Sequence, residues 1–432
     1  MKVDITHLKK LIGKVFKAEI FRVFSSTAVS TFIKMLTGFV STKVVSVIAG
    51  PAGVALVGQL QNFSAIVLNL SNGGTTNGIV KYVAEYKDDK ETLRRYISSS
   101  YSLSLFFSAL CAVAMICFNR QLSLAVFSDD SYYYIFIIFG ISIILYSLNT
   151  LFISIINGFM MFKKYVIVNI VGSIIGMSFT VGLVMLLGVS GALVALVTYQ
   201  SVVLIVTYLM TRKEKWLCKE NLRMTFDRPI VRQLLKFSLM AIVSAVILPL
   251  VQIILRRYII DRISIDIAGY WEGMNRLSAA YIVFISTSYA VYYLPKLSGC
   301  KDDSSMKHEI KKVFTFVIPI VLVMFFIIYL LRYPIINILY TREFEPMAEL
   351  FIPQLLGDFI KIVSWSLSYI LLAKSMTKTF VTIEIITPII YLFFAYFLVG
   401  HFNVLGIIYA HIISSVVYLL FLLFKFRHLL KS

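Results

Sequence analysis

Long stretches without a charge dominate the chain. Residues 96–118, 131–162, 165–211 and 385–424 contain no Asp, Glu, Lys or Arg. Each exceeds the ~20 residues that cross a bilayer as an α-helix, and the last two hold two helices apiece. Their turns are predicted at "LGVSG" (187–191) and "GHFN" (400–403), where small and polar residues interrupt the apolar pattern. Weaker apolar segments near 20–48, 52–80, 233–260, 266–297, 310–332 and 346–373 complete twelve expected spans. Transmembrane β-strands alternate in polarity over about ten residues, so these unbroken runs exclude a barrel. The expected fold class is an all-α polytopic membrane protein with twelve transmembrane helices. Ahead of the first span, "MKVDITHLKKLIGKVFKAEIF" places Leu8, Leu11, Ile12, Val15 and Phe16 at helical spacing in a basic context. That pattern predicts an interfacial helix, with no cleavable signal peptide evident.

Composition agrees with the pattern: of 432 residues 59% are hydrophobic and 15% charged, with a mean hydropathy of +0.86. Almost nothing is left for a soluble domain. The formal charge of +19 invites a nucleic-acid partner, but the distribution of cations excludes that reading. With the N-terminus inside, 31 of the 41 lysines and arginines fall on cytoplasmic segments. Only Arg120, Arg256, Arg257, Arg262, Arg332 and Arg342 fall on the opposite side, and Lys34, Lys43, Arg276 and Lys361 lie within spans. This bias is the positive-inside rule, and it predicts both termini in the cytoplasm. Cys111, Cys117, Cys218 and Cys300 form no CxxC and the five histidines no ligand spacing. No metal, disulfide or cofactor is assigned.

The chain repeats itself. A shift of 215 residues places "YVIVNIVGSII" (165–175) over "FVTIEIITPII" (380–390). The same shift pairs Gly58 with Gly273, Ala65 with Ala280, Lys81 with Lys296, Gly191 with Gly406 and Ala195 with Ala410. Two lobes are therefore expected, 1–215 and 216–432, divided at the basic loop "TRKEKWLCKENLRMTFDRP" (211–229). Six spans per copy is an even number, so both copies enter from the same side. Their pseudo-twofold axis is then expected along the membrane normal, with substrate bound in a central cavity between the lobes, as in secondary transporters. Transport becomes the leading functional class.

The charges inside spans are the candidate chemistry, because a charge at membrane depth is costly unless it faces protein or water. In "YWEGMNRLSAAY" (270–281), Glu272 and Arg276 stand four residues apart on one helical face. Asp358 and Lys361 stand three apart in the tenth span. Each pair has two readings, mutual neutralisation along one helix or contact with substrate. Lys34 has no acidic neighbour in its span and shares a small, polar face with Gly38 and Ser41, which fits a cavity wall. Lys43 lies about half a turn round from Lys34, where it snorkels to the interface. Glu384 either snorkels or carries a coupling proton. Arg256, Arg257 and Arg262 form a cationic cluster, read as a solvated loop or as a periplasmic vestibule that attracts an anion. Lys34, Arg276 and Lys361 could surround one cavity with Glu272, Asp358 and Glu384 as counter-charges. Such a set suits a phosphate or pyrophosphate, which Arg meets with two parallel hydrogen bonds. The same set suits an anionic sugar. The amides Gln59, Gln61, Asn62, Asn69, Asn72 and Asn77, with "SNGGTTNG" (71–78), read as helix packing, sugar recognition or a hinge.

Further segments carry a family resemblance: "GPAGVALVGQLQNF" (50–63), "GIVKYVAEY" (78–86), "LRRY" (93–96), "LLKFSLMA" (234–241), "AGYWEG" (268–273), "YLPKLS" (293–298) and "LLGDFIKI" (355–362). In order and spacing, over nearly the whole chain, these are similar to the Wzx polysaccharide flippases. Within that family the chain most resembles the enterobacterial branch that includes the flippase for the enterobacterial common antigen repeat. The resemblance implies a V-shaped polysaccharide transporter of the multidrug/oligosaccharidyl-lipid/polysaccharide superfamily in the bacterial inner membrane. It implies transfer of an undecaprenyl-pyrophosphate-linked oligosaccharide, of O-antigen or related type, between leaflets by alternating access. It further implies coupling to an H+ or Na+ gradient, action as a monomer among membrane lipids, and a glycan polymerase and chain-length regulator as partners. Relatives can carry an amide at the position of Glu272, so the resemblance assigns that carboxylate no role.

Two rivals remain on the residues alone. A drug/ion antiporter of the same superfamily would be expected to use a more acidic cavity than one holding Lys34. A glycan polymerase or other membrane enzyme would need an extramembrane segment bearing catalytic residues. The predicted periplasmic connections are about a dozen residues or fewer and carry no catalytic constellation.

Overall fold

The computed structural model describes residues 19–218, 220–300, 302–374 and 376–430. The expected interfacial helix over Leu8, Leu11, Ile12, Val15 and Phe16 lies outside the described residues. Within them the chain is helical, with no strand. In order come α1 (Glu19–Ser71), α2 (Thr76–Glu85), α3 (Lys90–Cys117), α4 (Asn119–Phe127), α5 (Tyr133–Gly158), α6 (Phe162–Thr211) and α7 (Arg228–Arg262). Then follow α8 (Ile265–Ser288), α9 (Leu294–Ser298), α10 (Asp303–Lys312), α11 (Ile318–Leu330), α12 (Arg332–Leu339), α13 (Phe351–Ala373), α14 (Thr377–Phe402), α15 (Val404–Lys425) and α16 (Arg427–Leu430). Eight helical stretches among the described residues are long and apolar enough to cross a membrane, so the chain is a multi-pass membrane protein. Two of the eight contain breaks, at Gly50 in α1 and at Gly188 in α6, each with a positive φ. The breaks fall between spans that the apolar pattern separates. Helix α8 has the length but carries Asp266, Glu272 and Arg276.

Where polar residues start a helix, they cap it. Asp89 accepts from the backbone N–H of Glu91 and Thr92 ahead of α3, and Ser264 accepts from Ile267 N–H ahead of α8. Asp302 does the same for α10. Hydrogen bonds from the Ser304 and Ser305 side chains and the Ser305 amide hold its carboxyl down at about 2. The carboxylate form of this cap is favoured above the ordinary carboxyl range, and the advantage is lost as pH falls towards that value.

The chain packs as two compact units, described separately. The first groups the residues up to Val44 with Ser64–Ala125 and Asp129–Val246. At one end of it, Ile79, Ile97, Leu151, Ile155 and Trp216 form a buried core. The basic loop 211–229 is tied to this end by the ion pairs Lys164–Glu214 and Arg95–Asp227. The amide-rich stretch proves to be a helix break: the chain leaves α1 at Ser71 and turns through Gly73 and Gly74 with positive φ. Polar side chains satisfy the break, since Ser147 Oγ lies 3.0 Å from Asn72 Oδ1 and 3.2 Å from the Ser71 carbonyl. The second unit groups Val45–Phe63, Val126–Ser128 and Ile247–Ser432. Division by packing therefore differs from division by repeat, because residues 45–63 of the first copy pack into the second unit.

The repeat itself is visible in backbone geometry at the same shift of 215 residues. Met161 starts α6 with φ −76°, ψ 57°, and Met376 starts α14 with φ −80°, ψ 56°. Met161 N–H donates to Ile156 O, and Met376 N–H to Leu371 O. Gly188 (φ 58°, ψ −135°) corresponds to Asn403 (φ 51°, ψ −138°), a non-glycine residue held in a positive-φ region that is otherwise glycine's. Three residues on, the paired glycines close each hairpin. A Cβ on Gly191 would lie 1.9 Å from Leu183 O, and one on Gly406 would lie 2.4 Å from Leu398 O. Because the obstacle is backbone, Gly406→Ala is expected to destabilise by about 3 kcal/mol or more. Asn403→Gly should be neutral or slightly stabilising. Thermal unfolding in detergent checks both, and a Gly406→Ala protein melting with wild type would contradict the close approach.

Candidate functional site

The charges of α8 lie at the centre of a polar cluster within the second unit. Glu272 is 6% exposed and bridges two guanidinium groups. Arg276 Nε donates to its Oε1 at 2.8 Å, one turn along the same helix, and Arg256 Nη2 donates to its Oε2 from α7. Two amides extend the cluster. Arg256 Nη1 donates to Gln59 Oε1 at 2.8 Å, Gln59 Nε2 donates to the Ile253 carbonyl, and Arg276 Nη2 donates to Gln61 Oε1 at 3.0 Å. Gln61 and Arg276 occupy equivalent positions of the 215-residue repeat. Gly58 makes the room, since a Cβ there would lie 2.3 Å from the Glu272 carboxyl carbon. The Arg256 guanidinium sits 5.4 Å from the Trp271 ring centroid, where the ring face adds to its stabilisation.

This placement corrects the sequence expectation for Arg256. Neighbours on a helix point about 100° apart, so the two arginines of the expected vestibule separate. Arg257 is exposed and pairs with Asp261 at 3.5 Å. Arg256 is fully buried and holds Glu272. The reading of Glu272 with Arg276 as an along-helix pair holds, but it is half of the arrangement. Two cations share one carboxylate, leaving net charge +1. Among the described residues Arg256 Nε has no hydrogen-bond partner, and the Arg276 side chain stays about one-fifth exposed.

A second cluster surrounds Asp358 on α13, which is 1% exposed. It accepts from Ser278 Oγ at 2.6 Å and Tyr281 OH at 2.5 Å, both on α8, and from Gln354 Nε2 at 3.1 Å. His411 Nε2, on α15, lies 3.1 Å from its other oxygen. Asp358 is thus not neutralised by Lys361. The carboxylate points at α8 and α15, while the half-buried Lys361 places its ammonium 5.6 Å from the Trp365 ring centroid. Glu384, on α14, is exposed. Lys34 belongs to the first unit, where it is exposed and forms no ion pair among the described residues.

The structure thus brings Glu272, Arg276 and Arg256 together and adds Gln59 and Gln61, which the sequence showed only as part of an amide-rich run. Sequence reasoning missed His411, Ser278, Tyr281 and Gln354. The one available signal was a histidine inside an otherwise apolar span. Among the described residues, no group of three or more His, Cys, Asp or Glu is placed to hold a metal ion.

Comparison with known proteins agrees with a transporter. The model of a family described as polysaccharide biosynthesis protein matches residues 60–349. The lipid III flippases of Escherichia coli and Shigella flexneri are each 30% identical to the chain over 385 residues, covering 88% of it and 91% of the relative. Both relatives are named as transporters and not as enzymes. Among solved structures, an inward-facing multidrug resistance MATE family transporter of the MOP superfamily superposes with a TM-score of 0.79 at 14% identity, covering 95% of this chain and 99% of its own. A MOP superfamily transporter from Pyrococcus furiosus, described as having a binding pocket of reverse polarity, gives 0.60 at 14% identity with 96% of each chain covered. At such identities the likeness establishes fold alone. With the family model spanning most of its length, the chain belongs to the polysaccharide biosynthesis protein family and has the two-lobed helical fold of the MOP superfamily transporters.

Proposed function

We propose that the chain is a flippase for a lipid-linked oligosaccharide. It moves an undecaprenyl-pyrophosphate-linked repeat unit, of O-antigen or enterobacterial common antigen type, from the cytoplasmic to the periplasmic leaflet by alternating access. The observation that carries this reading is the net-cationic Arg256–Glu272–Arg276 cluster within a span of a polysaccharide-biosynthesis protein. A pyrophosphate is the group in such a substrate that two guanidinium groups around one carboxylate favour. The names of the two flippase relatives support the same class.

In this reading the Arg276 fork meets the pyrophosphate, Lys34 and Lys361 supply further positive charge along the path, and Arg256 holds Glu272 in place. The polyprenyl tail stays in lipid. The chain sits in the bacterial inner membrane with both termini cytoplasmic, as the cation distribution favours. It works as a monomer and delivers its product to a glycan polymerase and its chain-length regulator. Asp358 with His411 is the carboxylate–imidazole pair best suited to take up and release a coupling proton, with Glu384 as the alternative acid. Deletion of the gene, followed by analysis of surface glycan and undecaprenyl-linked intermediates, tests the reading. Surface glycan should disappear while the intermediate accumulates with its sugars facing the cytoplasm. Unchanged surface glycan with no accumulation, together with raised sensitivity to cationic drugs, would favour the antiporter that the MATE fold also supports.

A further inference from the structure

A cavity of about 710 Å³ opens beside the end of α11, within the second unit and lined by none of the residues of the two polar clusters. Arg332 and Arg342 line it together with Glu343, Glu345 and Glu349, from α12 and the 3₁₀ segment Arg342–Leu350. Among the described residues none of these five charges forms an ion pair. That is unexpected, because side chains three apart in a 3₁₀ turn eclipse each other, which would let Arg342 reach Glu345. Arg332 is instead held between two rings, 4.3 Å from the Tyr329 centroid and 4.6 Å from that of Tyr333, and Nη1 donates to the Tyr329 carbonyl. Its remaining N–H groups are left for another acceptor.

The surroundings are apolar and exposed. Leu330, Leu331, Ile338 and Ile352 are each about half or more exposed, and Ile352 lines the cavity itself. Tyrosines and an arginine just past the end of an apolar helix mark headgroup depth. Arg342 and the three carboxylates are exposed, so the occupant that complements them carries an anion for the guanidinium groups, a cation for the carboxylates, and apolar chains alongside. We propose that this cavity is a headgroup site for a zwitterionic phospholipid with a primary ammonium. Its phosphate meets Arg332 and Arg342, its ammonium meets Glu343, Glu345 and Glu349, and its acyl chains run along Ile352 and Leu331. This site goes beyond the transport reading and does not depend on it.

Phosphatidylethanolamine carries both groups, phosphatidylglycerol lacks the ammonium, and phosphatidylcholine carries a cation that cannot donate a hydrogen bond. The full-length protein, purified and exchanged into each lipid, is examined by native mass spectrometry for retained phospholipid. Wild type should retain phosphatidylethanolamine about tenfold or more over either other lipid, the value of one charge-assisted hydrogen bond. Glu345→Gln with Glu349→Gln should remove that preference at an unchanged gel-filtration profile, whereas Arg342→Gln should weaken all three lipids alike. Equal retention of the three lipids by wild type would overturn the proposal. So would an undiminished preference in the double variant, or displacement of phosphatidylethanolamine from the cavity by a lipid-linked glycan.

Discussion

Glu272→Gln is expected to lower the stability of the protein by about 3–5 kcal/mol, the cost of leaving a buried charge without its partner. Arg256 has no exposure through which to recover solvation, and its second hydrogen bond, to Gln59, supplies no counter-charge. The same argument makes Arg256→Ala strongly destabilising. Arg276→Ala is different. Glu272 keeps Arg256 when Arg276 is removed, and Arg276 is partly solvated, so this change should cost only about 1 kcal/mol. The protein should reach the membrane in normal amounts and fail to export glycan. Arg276→Lys should export more weakly than wild type, because an ammonium lacks the planar fork. Replacing Glu272 by Gln and Arg256 by Met together should recover much of the lost stability, since it removes both buried charges at once. Thermal unfolding in detergent and glycan export in cells separate these outcomes. Wild-type export by Arg276→Ala at normal expression would remove Arg276 from the substrate path.

Asp358→Asn is expected to separate folding from coupling. The amide keeps one oxygen to accept from Ser278 and Tyr281, so it preserves most of the cluster and should cost about 1–2 kcal/mol. It cannot exchange a proton with His411. Export driven by an imposed proton gradient across vesicles should therefore fall at least tenfold while binding of the lipid-linked substrate persists. Asp358→Ala, by contrast, leaves donors on Ser278, Tyr281 and Gln354 unsatisfied and should cost several kcal/mol. His411→Gln should lose gradient dependence in the same way as Asp358→Asn. Wild-type gradient dependence in Asp358→Asn would exclude this carboxylate from coupling and leave Glu384 as the candidate acid.

Much of the fold was legible because the bilayer imposes a one-dimensional rule. A lipid-embedded segment satisfies its backbone internally, so apolar runs of sufficient length become helices whatever their neighbours. The turn at "LGVSG" appears as the break at Gly188, and the turn at "GHFN" as the positive φ of Asn403. The shift of 215 residues was readable for a similar reason: each backbone turn depends on a few local residues, and these recur in both copies.

Side-chain partners were not legible, because a helix fixes angular position but not what lies opposite. Counting along the chain pairs Glu272 with Arg276 and Asp358 with Lys361, both reasonable by spacing. The first pair forms but is only half of its arrangement, and the second does not form. The α7 face carrying Arg256 turns inwards against Glu272, and the α13 face carrying Asp358 turns towards His411, 53 residues away in the chain. A buried carboxylate is held by whichever donors the packing delivers, and that choice depends on which helix faces meet. The sequence by itself determined which runs are long and apolar enough to cross a membrane and that the chain repeats, since lipid cannot satisfy an open backbone. Only the tertiary structure decided which charges shelter one another, because contacts between distant helices depend on rotation and depth that no local spacing records.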